Sequence, residues 1–451
     1  MLSWIYALWV AAGLSPQVGA IITSAVSLGA VVWIAGLWLR ELFSVSNRIW
    51  IGGLLAVLLC RPLLWYGPYA LSEAPFMALV LSALWNSWRY THTQQPRFLI
   101  WSVLLSALSP LMRYIGVSVV VAGGVFLLWG LSVPLHQRFA IASGYVMLGL
   151  FPLALWALRN HAVSGTFFGV REPSDYNLRQ MVFETLWSWH RWVFPVAFEN
   201  SVSLFGIVLL LLAGTAWLAL YRSRRILTQS PALYSALCVA GVFVLSYSLL
   251  FVATASGVKF EGFSERLWLP ISIPVVLIGA IVYRLGVSER SWMSRTALVG
   301  ITALWLGWLC SGALMAASTV QQALSHQLGV FSTAQWHSSE TAGYLRQHRL
   351  AGKVFSNFPE PLFYLTGVVA QQTPHKGPMR VASETFPRNL PQFLQVVRQH
   401  LERGEQVYIV WYNDPSRSGY MYTMGELNQY LVLRDVQRLS DGQVYQVTGV
   451  L

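Results

Sequence analysis

The sequence predicts an α-helical polytopic membrane protein of about ten spans, followed by a small C-terminal α/β domain outside the cytoplasm. Three observations carry this. Of the 451 residues, 55% are hydrophobic and 11% charged, whereas soluble globular chains carry about 25% charged residues. Apolar runs matching the roughly 20 residues a helix needs to cross a bilayer recur up to residue 317 and then stop. Lys and Arg also segregate into alternate connections, which is an orientation signal. A water-soluble protein is thereby excluded. Cys60, Cys238 and Cys310 all lie in apolar runs and form neither a metal-ligand spacing nor a disulfide framework.

The first 13 residues, MLSWIYALWVAAG, are too short to span. They carry Trp4, Tyr6 and Trp9, which suit a helix lying in the interface. They lack the basic segment and cleavage site of a signal peptide. Spans are expected at 18–39, 49–66, 70–88, 98–112, 115–131, 139–158, 202–220, 232–253, 267–285 and 296–317. The connections on one side hold 11 Arg, from Arg40 to Arg295, against Glu41 and Glu289, so this side is cytoplasmic. Those on the other side hold 8 basic and 7 acidic residues and face outward. An even number of spans leaves both ends outside. Residues 1–317 form the membrane domain, and 318–451 a soluble one in which GKVFSN, GEQVYIVWYND and GQVYQVTGVL read as strands. SSETAGYLRQHRL and LPQFLQVVRQHLERG read as helices. Most of the net charge of +12 is thus a topology signal, and no nucleic-acid partner follows from it.

Charges beside spans are costly unless they meet water, a partner or a ligand, so the outward ones are the candidate site residues. Glu73 begins the third span after Ser72, where it serves a metal, a substrate hydroxyl or the positive end of its own helix. Arg113 and Tyr114 occupy a tight outward turn, and Arg suits an anionic headgroup or phosphate through planar, bidentate donation. A snorkelling interfacial Arg is the simpler reading. Arg159 and Arg171 flank Gly165 and Gly169, which permit close backbone approach to an anion. Lys259, Glu261, Glu265 and Arg266 precede the span entered through Pro270, either pairing with one another or offering Arg266 to a phosphate. Arg113, Arg159, Arg171, Lys259 and Arg266 would ring one outer cavity. His161 and His190 have no ligand-type spacing and read as structural.

In order, LSEAPFMALVLSAL, SPLMRYIGV, LRNHAVSGTFFGVREPS, SERLWLPISIPVVL and VFSNFPEPLFYLTG resemble the GT-C superfamily of polytopic glycosyltransferases, in its protein O-mannosyltransferase and aminoarabinose-transferase-like branch. The resemblance covers nearly the whole chain. It implies a GT-C-like fold in the bacterial inner membrane. It also implies transfer of a sugar from a polyprenyl-phosphate-linked donor to a glycan, lipid or protein acceptor at the outer face, often with a divalent metal such as Mg or Mn. Fixed cations would stabilise the leaving phosphate, and an acid would deprotonate the acceptor. Glu73 matches the family's Ser-Glu position, where it acts as base, metal ligand or acceptor contact. The family's principal catalytic Asp lies in a first outer loop preceding the matched region, and the first Asp here is Asp175. The resemblance therefore leads us to expect an in-frame region upstream of Met1 that carries this Asp. The alternatives are an inactive product, or chemistry carried by Glu73. Two rival functions remain: a transporter of lipid-linked sugars, and a non-catalytic assembly subunit. The transporter reading lacks paired, Gly/Pro-interrupted helices in corresponding halves.

Overall fold

A computed structural model describes residues 2–44, 46–69, 71–169, 173–174, 176–194, 199–222, 230–258, 265–288, 292–325, 333–376, 389–414 and 421–451. By its internal contacts the chain divides into two units, Met1–Leu158 with Pro173–Gln321, and Arg159–Glu172 with Gln322–Leu451.

The first unit is helical: α1 Leu2–Ala11, α2 Pro16–Phe43, α3 Asn47–Leu58, α4 Arg61–Tyr66, α5 Glu73–Thr93, α6 Pro96–Met112, a 3-10 turn Tyr114–Gly116, α7 Val117–Gly130, α8 Leu135–Ser164, whose last turn belongs to the second unit, α9 Leu178–Val193, α10 Glu199–Arg222, α11 Pro231–Gly257, α12 Glu265–Ser288 and α13 Trp292–Leu324. Every expected span overlaps one of these helices. Among the described residues, five helices are long and apolar enough to cross a membrane: Val18–Phe43, Leu135–Ser164, Pro231–Gly257, Glu265–Val287 and Leu298–Leu324. The chain is an integral membrane protein. One expected span is corrected. Residues 49–66 are not a single helix but α3 and α4, broken at Leu59 and Cys60, because Pro62 fits the first turn of a helix and not its interior. The interfacial reading of the N-terminus meets a helix with no buried residue, on which Trp4 and Leu8 are largely exposed.

The core of this unit joins α2, α5, α11 and α12 through Trp38, Trp88, Phe76, Phe243, Tyr247 and Trp268. Several buried hydroxyls of this unit pair with one another, as burial favours. Ser87 bonds Ser102 at 2.6 Å, and Ser102 and Ser106 bond the Tyr145 hydroxyl at 2.9 and 2.5 Å, tying α5, α6 and α8 together. The Trp308 indole donates to the Ala56 carbonyl at 2.7 Å, and Gly312 lies so close to the Leu59 carbonyl that no Cβ would fit. That close approach seats α13 beside the break between α3 and α4.

The second unit contains a five-stranded sheet of order β2-β1-β3-β5-β4, with β1 Lys353–Ser356, β2 Gln371–Gln372, β3 Val407–Tyr412, β4 Leu431–Arg438 and β5 Gly442–Val450. The β1/β2 and β1/β3 pairs are parallel, and β3/β5 and β4/β5 antiparallel. Alternation sends Phe355, Val407, Ile409 and Val447 to one face, against the helix Leu390–Glu402. Val354, Val410 and Val444 point to the other face, against the helices Glu340–Gln347 and Pro359–Thr366. Asp441 caps the first of these, accepting from the Thr341 amide at 3.0 Å and hydroxyl at 2.7 Å.

Candidate active site

Two carboxylates of the helical unit are built into arginine clusters. Glu73 stands at the first position of α5, where its charge meets the positive helix end. Ser72 makes no side-chain cap there. The Glu73 side chain is 0% exposed, and its Oε1 accepts from both Arg113 Nη1 and Arg266 Nε. Its Oε2 is buried without a hydrogen-bond partner.

Arg113 reaches Glu73 because α6 ends there in an extended residue, closed by bonds from its own amide to the Ser109 carbonyl at 3.0 Å and from the Gly116 amide to its carbonyl at 2.7 Å. A Cβ at Gly116 would lie 2.4 Å from the Ser109 carbonyl carbon, so this turn requires glycine. Pro110 sits within α6 without breaking it.

The second cluster surrounds Glu265, the first residue of α12. Arg191 Nε of α9 lies 2.9 Å from its Oε1, and Arg61 Nε of α4 lies 3.8 Å from its Oε2. Ser311 links the two arginines, accepting from Arg61 Nη1 at 3.3 Å and donating to the Arg191 carbonyl at 3.3 Å. Because Glu265 and Arg266 are consecutive, both clusters share one turn of α12. Among the described residues four guanidiniums thus face two carboxylates, an excess of two positive charges. Arg191 and Arg266 are 43% and 39% exposed, while Arg61 and Arg113 are nearly buried, so solvent meets this excess at two edges.

An apolar cavity of about 550 Å³ opens between α3, α9, α10, α11, α12 and α13. Trp189 and Trp192, on either side of Arg191 in sequence, line it with Ile271, and Tyr283 and Arg48 line it further along. From Ile271 to Tyr283 it follows α12 for about 18 Å at 1.5 Å per residue. Charge cluster and cavity therefore adjoin on one pair of helices.

Of the residues expected at the site, Glu73, Arg113 and Arg266 come together. Tyr114 is in the adjoining turn and 38% exposed. Arg159 belongs to the other unit and bonds Asn160 at 3.4 Å, while Arg171 and Lys259 lie outside the described residues. Glu265 pairs with Arg61 and Arg191. The sequence reading missed Arg61 and Arg191 as site residues. An arginine inside the apolar run 49–66 is itself a signal that it has a partner. His190 is structural, packed edge-on to Phe205 and bonded to Ser201 at 3.0 Å, and burial pushes its imidazole pKa down. Among the described residues no three His, Cys, Asp or Glu stand together as a metal-ligand set. Two guanidiniums on Glu73 repel a divalent cation, so that carboxylate does not fit the expected Mg or Mn.

These helices and the small C-terminal sheet form the fold of a polytopic membrane protein, and that fold is shared with solved structures. Among solved structures, the chain is similar to ArnT from Cupriavidus metallidurans in the apo state, with TM-score 0.56, 12% identity, and 99% of this chain and 86% of that one covered. The same protein bound to undecaprenyl phosphate matches with TM-score 0.56, 12% identity, and coverage of 99% and 87%. The Archaeoglobus fulgidus oligosaccharyltransferase in complex with Zn and sulfate is more distant, at TM-score 0.44, 9% identity, and coverage of 95% and 61%. No family model and no curated protein matches the sequence.

Proposed function

We propose that the protein is a membrane glycosyltransferase that moves a sugar from a polyprenyl-phosphate-linked donor to a glycan, lipid or protein acceptor at the outer face of the bacterial inner membrane. The observation that carries this is the arginine excess beside an apolar cavity, which suits a ligand with a phosphate head and an isoprenoid tail. The fold it shares with ArnT, one structure of which holds undecaprenyl phosphate, supports the same class of ligand.

In this reading Arg113, Arg266, Arg191 and Arg61 hold the phosphate, with Tyr114 in the adjoining turn; Arg159, Arg171 and Lys259 are candidates from the sequence alone. The acceptor hydroxyl oxygen bonds to the anomeric carbon as the bond from that carbon to the phosphate oxygen breaks; the lipid phosphate leaves with the electron pair and takes up the charge, and the hydroxyl proton passes to water or to that phosphate. Guanidiniums fixed in advance stabilise that charge without reorganising. Glu73 belongs to the site as the carboxylate that orients Arg113 and Arg266. With Oε1 occupied by both, holding suits its geometry better than proton abstraction. Trp189, Trp192 and Ile271 would receive the first isoprene units.

The test is reconstitution of the full chain in proteoliposomes, with a panel of labelled polyprenyl-phosphate sugars and extracted envelope glycolipids as acceptors. We expect a new glycosidic product, and Arg266→Ala should lower its rate at least about 100-fold, a loss typical of removing one transition-state donor. Donor that crosses the bilayer with no glycosidic product would support a transporter. Full transfer by Arg266→Ala would refute the phosphate role of this cluster.

A further inference from the structure

At the other end of α5, a second cavity of about 510 Å³ opens between α2, α5 and α6. Arg89, which lines it, lies 16 residues beyond Glu73 on one helix, or about 24 Å away, so it is separate from the glutamate-arginine site. Its charges are unequally spent. Arg89 pairs with Glu41 at 3.3 Å and stacks over the rings of Trp85 at 5.1 Å and Phe98 at 4.6 Å. Arg97 also stacks on Phe98, at 4.9 Å, but is exposed and has no carboxylate partner among the described residues. One positive charge is left over, held by aromatic rings rather than by an acid. Ser82 and Asn86 also line it, each donating to a backbone carbonyl of α5, while Ile34, Trp101 and Leu105 form an apolar side that continues into an exposed stripe of Ile100, Leu104 and Leu108 on α6.

We propose that this cavity seats an anionic phospholipid, with its phosphate on Arg97 and the open side of Arg89 and its acyl chain along Trp101 and the α6 stripe. A free anion would have no use for the apolar wall, and a zwitterionic lipid would leave the surplus charge uncompensated. A basic pocket between membrane helices, flanked by apolar surface, is the expected form of such a site. Because α2, α5 and α6 line it jointly, a bound lipid would bridge them.

The probe is phosphatidylglycerol against phosphatidylcholine, added to the detergent-purified full chain and read as retained lipid by native mass spectrometry. The wild type should retain phosphatidylglycerol in preference. Arg97→Ala should weaken that retention about fivefold, the effect of one surface-facing cation, with Arg295→Ala, an exposed arginine outside the cavity, matching the wild type. Trp101→Glu, on an exposed position of the wall, should abolish the preference without loss of fold. Equal retention of phosphatidylglycerol by wild type and Arg97→Ala would overturn the proposal. So would its full displacement by millimolar inorganic phosphate, which would make this a free-anion site.

Discussion

Replacing Glu73 with Gln keeps the shape of the side chain and removes its charge, which isolates what that charge does. Two guanidiniums then share a neutral amide. Removing one partner of a buried ion pair costs roughly 3–5 kcal/mol because the remaining charge stays desolvated. Arg113, 16% exposed, bears most of that cost. Arg266, 39% exposed, is reached by water, so its share is within about 1 kcal/mol. The expected loss is therefore about 3 kcal/mol, measured by SDS titration in mixed micelles with the 21 tryptophans as the fluorescence signal. Neutralising both sides in Glu73→Gln/Arg113→Gln should recover about 2 kcal/mol relative to the sum of the single changes, since the uncompensated cation is gone. A Glu73→Gln protein as stable as the wild type, or a strictly additive double variant, would refute the ion-pair reasoning. The same variant also separates two roles for Glu73. An orienting carboxylate predicts weaker polyprenyl phosphate binding together with slower transfer, whereas lost transfer with binding and stability intact would identify a proton acceptor.

Two further outcomes follow from other parts of the molecule. Beyond its own turn of α12, nothing lies within 4 Å of a Cβ built on Gly279, a residue lining the apolar cavity. Gly279→Phe should accordingly raise the Kd for long-chain polyprenyl phosphate at least tenfold, about 1.4 kcal/mol, and leave a five-carbon isoprenyl phosphate unaffected, both read by displacement of a labelled lipid. In the soluble unit, bonds from Lys376 and then Thr423 hold the Glu426 carboxyl at about 2, below its usual 4.5. A lowered folded value means its contribution is complete above the ordinary carboxylate range and fades as pH falls toward 2. Hydrogen exchange at Met424–Leu427 should therefore lose protection on acidification in the wild type and show a flatter pH response in Glu426→Gln.

The spanning helices were legible because length and hydropathy decide them, down to the short pair around Arg113; α9, which carries Arg191, was not, because it is amphipathic rather than apolar throughout and lies inside a long outer loop. The break at Leu59 and Cys60 was legible in principle from Pro62, but an unbroken apolar run masks it. In the C-terminal domain β1, β3 and β5 announce themselves by β-branched and aromatic residues. Strand β4, LVLRDVQR, does not: it is an edge strand with most of its side chains exposed, so its charges obscure the alternation. At the site, Glu73, Arg113 and Arg266 could be nominated one by one as charges beside spans, but their pairing could not. Glu265 and Arg266 look like mutual partners in sequence. Neighbours on a helix point about 100° apart, and one turns to Arg61 and Arg191 while the other turns to Glu73. Those partners lie up to 204 positions away in the chain, from Arg61 to Glu265, and only packing brings them within reach.

The four-to-two ratio of arginines to carboxylates bears on how the proposed reaction is driven. A polyprenyl-phosphate sugar is a phosphodiester with one negative charge, while the polyprenyl phosphate that leaves is a monoester carrying about −1.5 to −2 at neutral pH. An excess of two positive charges matches the second species better than the first. Binding that strengthens as charge develops on the phosphate lowers the barrier, whereas binding both states equally would not. The clusters should then hold free polyprenyl phosphate more tightly than a polyprenyl-phosphate sugar of the same chain length, by about tenfold or more, about 1.4 kcal/mol. Arg191→Ala and Arg266→Ala, at the two exposed edges, should each shrink that preference more than they weaken binding of the diester. Competition of both lipids against a labelled probe measures it directly. Equal affinities in the wild type would mean that the arginines recognise the headgroup without favouring its departure, and the rate would then have to come from the acceptor side.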